Sequence, residues 1–93
     1  MAISKKFRAG DFVMNIGHDE DGTDIGRVLS PPLVGKKKKQ YKINVESALK
    51  SSKGRPFVIC EWYNPNYDIN WIEESELRLA TNAEIVLYGK RKI

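Results

Sequence analysis

The apolar positions of this chain come in short runs, and most runs repeat at every second residue. After Gly10-Asp11, Phe12, Met14 and Ile16 share one face, which predicts a first strand. Residues 25–30 predict a second, with Gly26 marking a bulge or sharp bend. Pro31-Pro32 ends it, because neither residue has an N–H to give to a ladder. The cleanest alternation lies at 40–46: Tyr41, Ile43 and Val45 on one side, Lys42, Asn44 and Glu46 on the other. That is the pattern of a strand with one buried and one wet face. Residues 57–63, Phe-Val-Ile-Cys-Glu-Trp-Tyr, are the most apolar run and predict a central strand. Asn64-Pro65-Asn66 is turn chemistry, so residues 68–72 return as the second arm of a hairpin.

The remaining segments are polar or mixed. Residues 18–24, flanked and broken by Gly17 and Gly22, read as a loop. Gly35 and the lysine run after it read as a turn. Residues 47–56 read as a long mobile loop, with at most one helical turn at Ala48-Leu49. Residues 73–77 read as a short turn or 3₁₀ piece, with Leu77 and Leu79 pointing inward. Thr81 and Glu84 stand at capping-box spacing, which predicts a short helix from Asn82 to Tyr88 stopped by Gly89. Ile85, Val86 and Leu87 fit a last strand as well. The sum is a mainly β domain of about five short strands and a short C-terminal helix, with no βαβ alternation. A small barrel is the expected closure, since it leaves no exposed edge. The expected core is Val13, Val28, Ile43, Val45, Ile59, Trp62 and Leu77. Glu61 marks the face of Phe57, Ile59 and Tyr63 as partly wet, so Trp62 is assigned to the core. Tyr63 and Tyr67 are then the expected exposed rings.

The pattern from Phe7 to Val28, Phe-x2-Gly-Asp-Phe-Val followed by Gly-Arg-Val, resembles the opening of SH3-like small barrels of the KOW and Tudor types. Tyr41-x-Ile-x-Val is similar to their third strand and Cys60-Glu-Trp to the next. Trp71-Ile-Glu-Glu-Ser-Glu-Leu-Arg-Leu resembles the 3₁₀ turn and Leu-x-Leu that close them. The likeness covers residues 7–79 and leaves 80–93 as a C-terminal extension. It implies a non-enzymatic module that binds RNA, DNA, ribosomal components or a peptide. The loops at 31–40 and 47–56 are longer than such barrels use.

Length and composition narrow the classes. Ninety-three residues make one domain. No apolar run approaches the roughly 20 residues that span a bilayer, and residues 1–12 lack the apolar stretch of a secretory signal. One cysteine excludes an internal disulfide and a Cys-based zinc site, so a reducing, cytoplasmic location is expected. One histidine excludes a pair of His acid/base groups.

Charge changes the picture most. The net charge is +4, but residues 34–56 hold eight basic side chains against Glu46 alone, a local balance of +7. Lys90, Arg91 and Lys92 form a second, smaller cluster. Clustered like charge fits an anionic partner, although a solvated loop explains a lysine run equally well. Three kinds of chemistry fit less well. The acidic loop His18-Asp19-Glu20-Asp21-Gly22-Thr23-Asp24 fails the EF-hand pattern, with Asp24 where glycine is needed and Ser30 where the bidentate glutamate belongs. Cys60 sits in mid-strand as a buried, inert thiol, and no strained turn presents it to His18. Glu73, Glu74 and Glu76 fall on a surface turn, where nothing would drive their pKa values apart. The chain is therefore read as a non-enzyme without cofactor or metal. The leading expectation is nucleic-acid binding through basic loops, with Lys36, Lys37, Lys38, Lys39, Lys42, Lys50, Lys53 and Arg55 on phosphates and Tyr63 or Tyr67 stacking on bases. The rival expectation is a protein-interaction module that docks a peptide or an acidic protein, such as a phage or accessory factor acting on a host complex.

Overall fold

The computed structural model describes residues 4–16, 25–63 and 67–89. Five strands, β1 (Phe12–Asn15), β2 (Ile25–Val28), β3 (Phe57–Trp62), β4 (Asp68–Glu73) and β5 (Leu77–Leu79), form one antiparallel sheet in the order β4-β3-β2-β1-β5. A 17-residue helix, α1 (Gly35–Ser51), is inserted between β2 and β3. A short helix, α2 (Asn82–Glu84), follows β5 and runs into a π-helical turn (Ile85–Gly89). The architecture is thus α/β rather than mainly β. The acidic loop with its calcium reading, the turn at 64–66 and the cluster of Lys90, Arg91 and Lys92 lie outside the described residues.

The approach to β1 follows from local chemistry. The Asp11 N–H donates to the Arg8 carbonyl, and Gly10 supplies the positive φ of 93° that such a turn requires. Gly26 does not mark a bulge. A Cβ there would lie 2.6 Å from the Trp62 ring and 2.9 Å from the Glu61 carbonyl, so only glycine lets β2 pass this close to β3. The 3₁₀ turn expected near Glu74 is present, over Glu74–Glu76.

That turn also fixes the curvature of the sheet. Three residues join β4 to β5, although these strands lie at opposite edges. In a flat sheet the two edges would be about 19 Å apart, whereas four Cα–Cα steps reach about 14 Å at most. The sheet must therefore curl until its edges approach. One face lines the inside of the curl, where Val13, Val28, Val58, Cys60, Trp62, Ile72 and Leu77 form a single cluster with Phe7. The described ladders pair β4 only with β3 and β5 only with β1, so the sheet is open rather than a closed barrel.

The other face is covered by helix, and here the structure corrects the sequence reading most. Residues 40–46 are not a strand but the middle of α1. Tyr41 and Val45 are one helical turn apart, and with Ala48 they pack on Phe57, Ile59 and Ile69 of β3 and β4. The same two side chains satisfy a period of 2 and a period of 3.6, and the lysines, Gln40, Glu46, Ala48 and Leu49 around them are good helix formers. Ile43, an expected core residue, is 55% exposed on the outer side, whereas Val45 is half-buried. Leu79 is also exposed rather than inward. The expected loop at 47–56 is the C-terminal end of α1, residues 47–51, and its exit, where Lys53 and Gly54 take positive φ values of 54° and 86°. Phe57, Ile59 and Tyr63 are accordingly buried, while Glu61 on the same face stays partly exposed beside Lys37 and Tyr67. Towards its far end Met14, Ile25 and Tyr63 are buried beneath Phe12, Ala80 and Ile85.

Both edges of the open sheet are blunted by side chains. Gln40 Nε2 and Asn44 Nδ2 of α1 donate to the Ile69 carbonyl of β4 at 2.9 and 3.0 Å. The Trp71 N–H donates to Asn70 Oδ1, and Arg78 donates to the Leu79 carbonyl of β5. Backbone groups satisfied in this way are poor templates for a further strand.

Candidate nucleic-acid interface

Helix α1 gathers six of the eight basic residues of the 34–56 segment onto one rigid element. At 3.6 residues per turn it has three faces. The sheet side carries Tyr41, Asn44 and Ala48, with Lys37 and Gln40 at its margin. The outward stripe carries Lys36, Lys39, Ile43 and Lys50, and Lys38 and Lys42 stand one turn apart between the two. Lys36, Lys38, Lys39, Lys42 and Lys50 are all exposed and form no ion pair among the described residues. From Lys36 to Lys50 the array is about 21 Å long.

The start of α1 is electrostatically unusual. Val34 at the N-cap makes no side-chain hydrogen bond, and the first turn holds no acid. Lysines occupy residues 36–39 instead, next to the free N–H groups and the positive end of the macrodipole. Each element of this arrangement opposes the others. An anion placed there would relieve all of them.

The aromatic half of the expectation comes out differently. Tyr63 is 2% exposed, and its hydroxyl donates to Glu61 Oε1 at 2.5 Å, so it offers no stacking surface. Tyr67 is 45% exposed, as expected, but its hydroxyl donates to Glu61 Oε2 at 3.0 Å. Lys37 Nζ lies 5.8 Å from the Tyr67 ring centre and 3.6 Å from the Glu61 carboxylate. The Tyr67 hydroxyl first and Glu61 second hold the Lys37 ammonium above its ordinary value. Burial first and the Glu61 bond second push the Tyr63 and Tyr67 phenols up. Lys37 thus ties α1 to the β3–β4 hairpin and is already engaged. Burial likewise raises the Cys60 thiol, which is fully enclosed.

The last two basic candidates part company. Lys53 is exposed in the exit turn of α1. Arg55 faces β4 and makes a bidentate pair with Glu73, at 2.6 and 3.1 Å. The structure therefore brings together Lys36, Lys38, Lys39, Lys42 and Lys50 and withdraws Tyr63, Lys37 and Arg55. Sequence reasoning missed Glu61 as the acceptor that organises both tyrosines. It also missed an apolar groove between residues 31–33 and α1. Its one signal was Leu33-Val34 directly after the two prolines.

Among the described residues no group of three His, Cys, Asp or Glu side chains is placed to share a metal ion. No described helix is long and apolar enough to cross a membrane. Fold and site together define a curled five-stranded antiparallel sheet with a lysine-bearing helix inserted between its second and third strands. No family model, curated protein or solved structure matches the chain.

Proposed function

We infer that this chain is a non-enzymatic binding module that holds nucleic acid by its phosphate backbone through α1. The observation that carries this reading is the uncapped, acid-free start of α1 with the exposed Lys36, Lys38 and Lys39 crowded on it. That arrangement works against the helix and in favour of a polyanion. A helix also presents its charges at fixed spacing, unlike the loop expected from the sequence, so less ordering accompanies each phosphate contact. The 3₁₀ turn and the return of the last strand beside β1 support an SH3-like strand order, in an open sheet whose expected third strand is replaced by α1. Among the described residues Tyr63 is buried and the exposed Tyr67 has its hydroxyl tied to Glu61, so base stacking contributes little. Duplex should therefore bind at least as well as single strands, with no choice of sequence.

Fluorescence anisotropy with labelled duplex and single-stranded oligonucleotides across a salt series tests the reading. Binding to duplex should fall linearly in log K against log salt. The triple variant Lys36→Gln, Lys38→Gln and Lys39→Gln should flatten that line by up to about 0.9 for each phosphate no longer neutralised. Absence of binding to either form at low salt would overturn it.

A further inference from the structure

The outward lysine stripe leaves a neighbouring surface unused. A groove of about 410 Å³ runs between Pro31, Pro32 and Leu33 on one side and Tyr41 and Val45 of α1 on the other. Exposed Lys38 and Lys42 border it, with Glu46 as its one acid. A second compartment of about 250 Å³ shares Pro31 and Tyr41 with the first, and continues onto Leu29, Phe57 and Ile59. The two adjoin at Pro31 and Tyr41 as a trough whose second part also carries Ser4 and Ser30, and the first alone is of a size that takes a large side chain. Val34, next to Leu33, is 82% exposed.

We propose that this trough docks a short peptide segment of a partner protein, with one apolar side chain in each compartment and acidic residues beside them. The apolar walls specify the anchors. Buried apolar anchors in enclosed pockets carry most of the energy of such contacts. The rim specifies the flanks. Lys38 and Lys42 are one turn apart on the same side of α1, so an acidic segment is steered in and a basic one repelled. A nucleic acid fits the trough poorly, because prolines and aliphatic carbon offer few partners to base edges. Backbone pairing is also excluded along Pro31 and Pro32, which lack N–H groups. The occupant is therefore held by its side chains. The docking shares Lys38 and Lys42 with the basic array but does not rest on the phosphate reading, since its apolar walls, Pro31, Pro32, Leu33, Tyr41 and Val45, belong to the groove alone.

The test is selection of a displayed library of random short peptides on the whole chain, with counter-selection on the Leu33→Glu variant. Selected peptides should carry two apolar residues among Asp and Glu. Their affinity should fall by about tenfold or more on Leu33→Glu. It should also fall on the double variant Lys38→Glu and Lys42→Glu, whose exposed side chains can change sign without touching the core. It should stay within about twofold on Lys36→Gln, Lys39→Gln and Lys50→Gln. Lack of enrichment over the counter-selected variant would overturn the proposal. So would enrichment of acidic peptides without apolar residues, which would show charge attraction alone. Loss of oligonucleotide binding with peptide binding retained would instead remove only the phosphate reading.

Discussion

The two helix starts in this molecule are built in opposite ways. At α2, Thr81 Oγ1 accepts the Glu84 N–H, and the Glu84 carboxylate accepts the Thr81 N–H at 2.9 Å. Arg78 adds a bidentate pair to the same carboxylate, at 2.8 and 2.6 Å. At α1 there is no cap, no acid and a run of lysines. A helix of three residues has almost nothing but its cap to hold it, so α2 follows the local rules closely. Helix α1 tolerates an adverse start because Tyr41, Val45 and Ala48 lie on the sheet and Gln40 and Asn44 bond its edge. Tertiary packing thus lets α1 keep a start that local stability would not choose.

The largest effect should come from attacking that packing. Ala48 is fully buried against Phe57, Ile59 and Ile69. Ala48→Asp places a carboxylate there without a partner and should destabilise the fold by about 3 kcal/mol or more in urea unfolding. Ile43→Ala, on the same helix but 55% exposed, should lie within about 0.5 kcal/mol of the wild type. Equal losses for the two would mean that α1 does not sit on the sheet as described.

At α2 the corresponding change is Thr81→Ala. Loss of a cap is worth about 1 kcal/mol, and here it should appear locally, as faster amide exchange at Glu84 and Ile85 with little change in global unfolding. Unchanged exchange at these amides would remove the cap from the account. The start of α1 should respond in the opposite sense. Lys36→Gln, Lys38→Gln and Lys39→Gln together should stabilise the protein at low salt by about 0.3 kcal/mol per residue, and molar salt should erase the gain. Destabilisation at low salt would mean that these lysines have partners in the folded state.

The smallest effect is pH dependence at α2. Arg78 first, and the Thr81 backbone second, lower the Glu84 carboxyl to about 2. Because the folded value is depressed, its contribution is complete above the unfolded carboxyl value of about 4.3. It is lost as pH falls through about 2. The pair is near the surface, so the contribution is small, and NMR titration of the Glu84 carboxyl is the suitable measure. Arg78→Gln should move the midpoint back towards the ordinary range. A midpoint already in that range in the wild type would show that the pair does not form in solution.

Elements defined by neighbouring residues are legible in the sequence alone. The β3–β4 hairpin, the 3₁₀ turn, the Thr81–Glu84 capping box and the burial of Val58, Cys60 and Trp62 all follow from patterns within ten or so residues. Such patterns act through local backbone geometry and strand alternation, which any fold must respect. Helix α1 is not legible in this way. Tyr41, Ile43 and Val45 carry a strand-like alternation, and only the sheet beneath Tyr41 and Val45 selects the helical period and leaves Ile43 in water. The site divides along the same line. Clustered positive charge is a property of composition, so the basic segment is visible at once. Its rigidity, the engagement of Lys37 and Arg55, the burial of Tyr63 and the trough beside Tyr41 depend on distant segments meeting. Residues 31–45 and 57–73 are far apart in the chain, and their contacts come from burying apolar surface across the whole molecule, which no local pattern encodes.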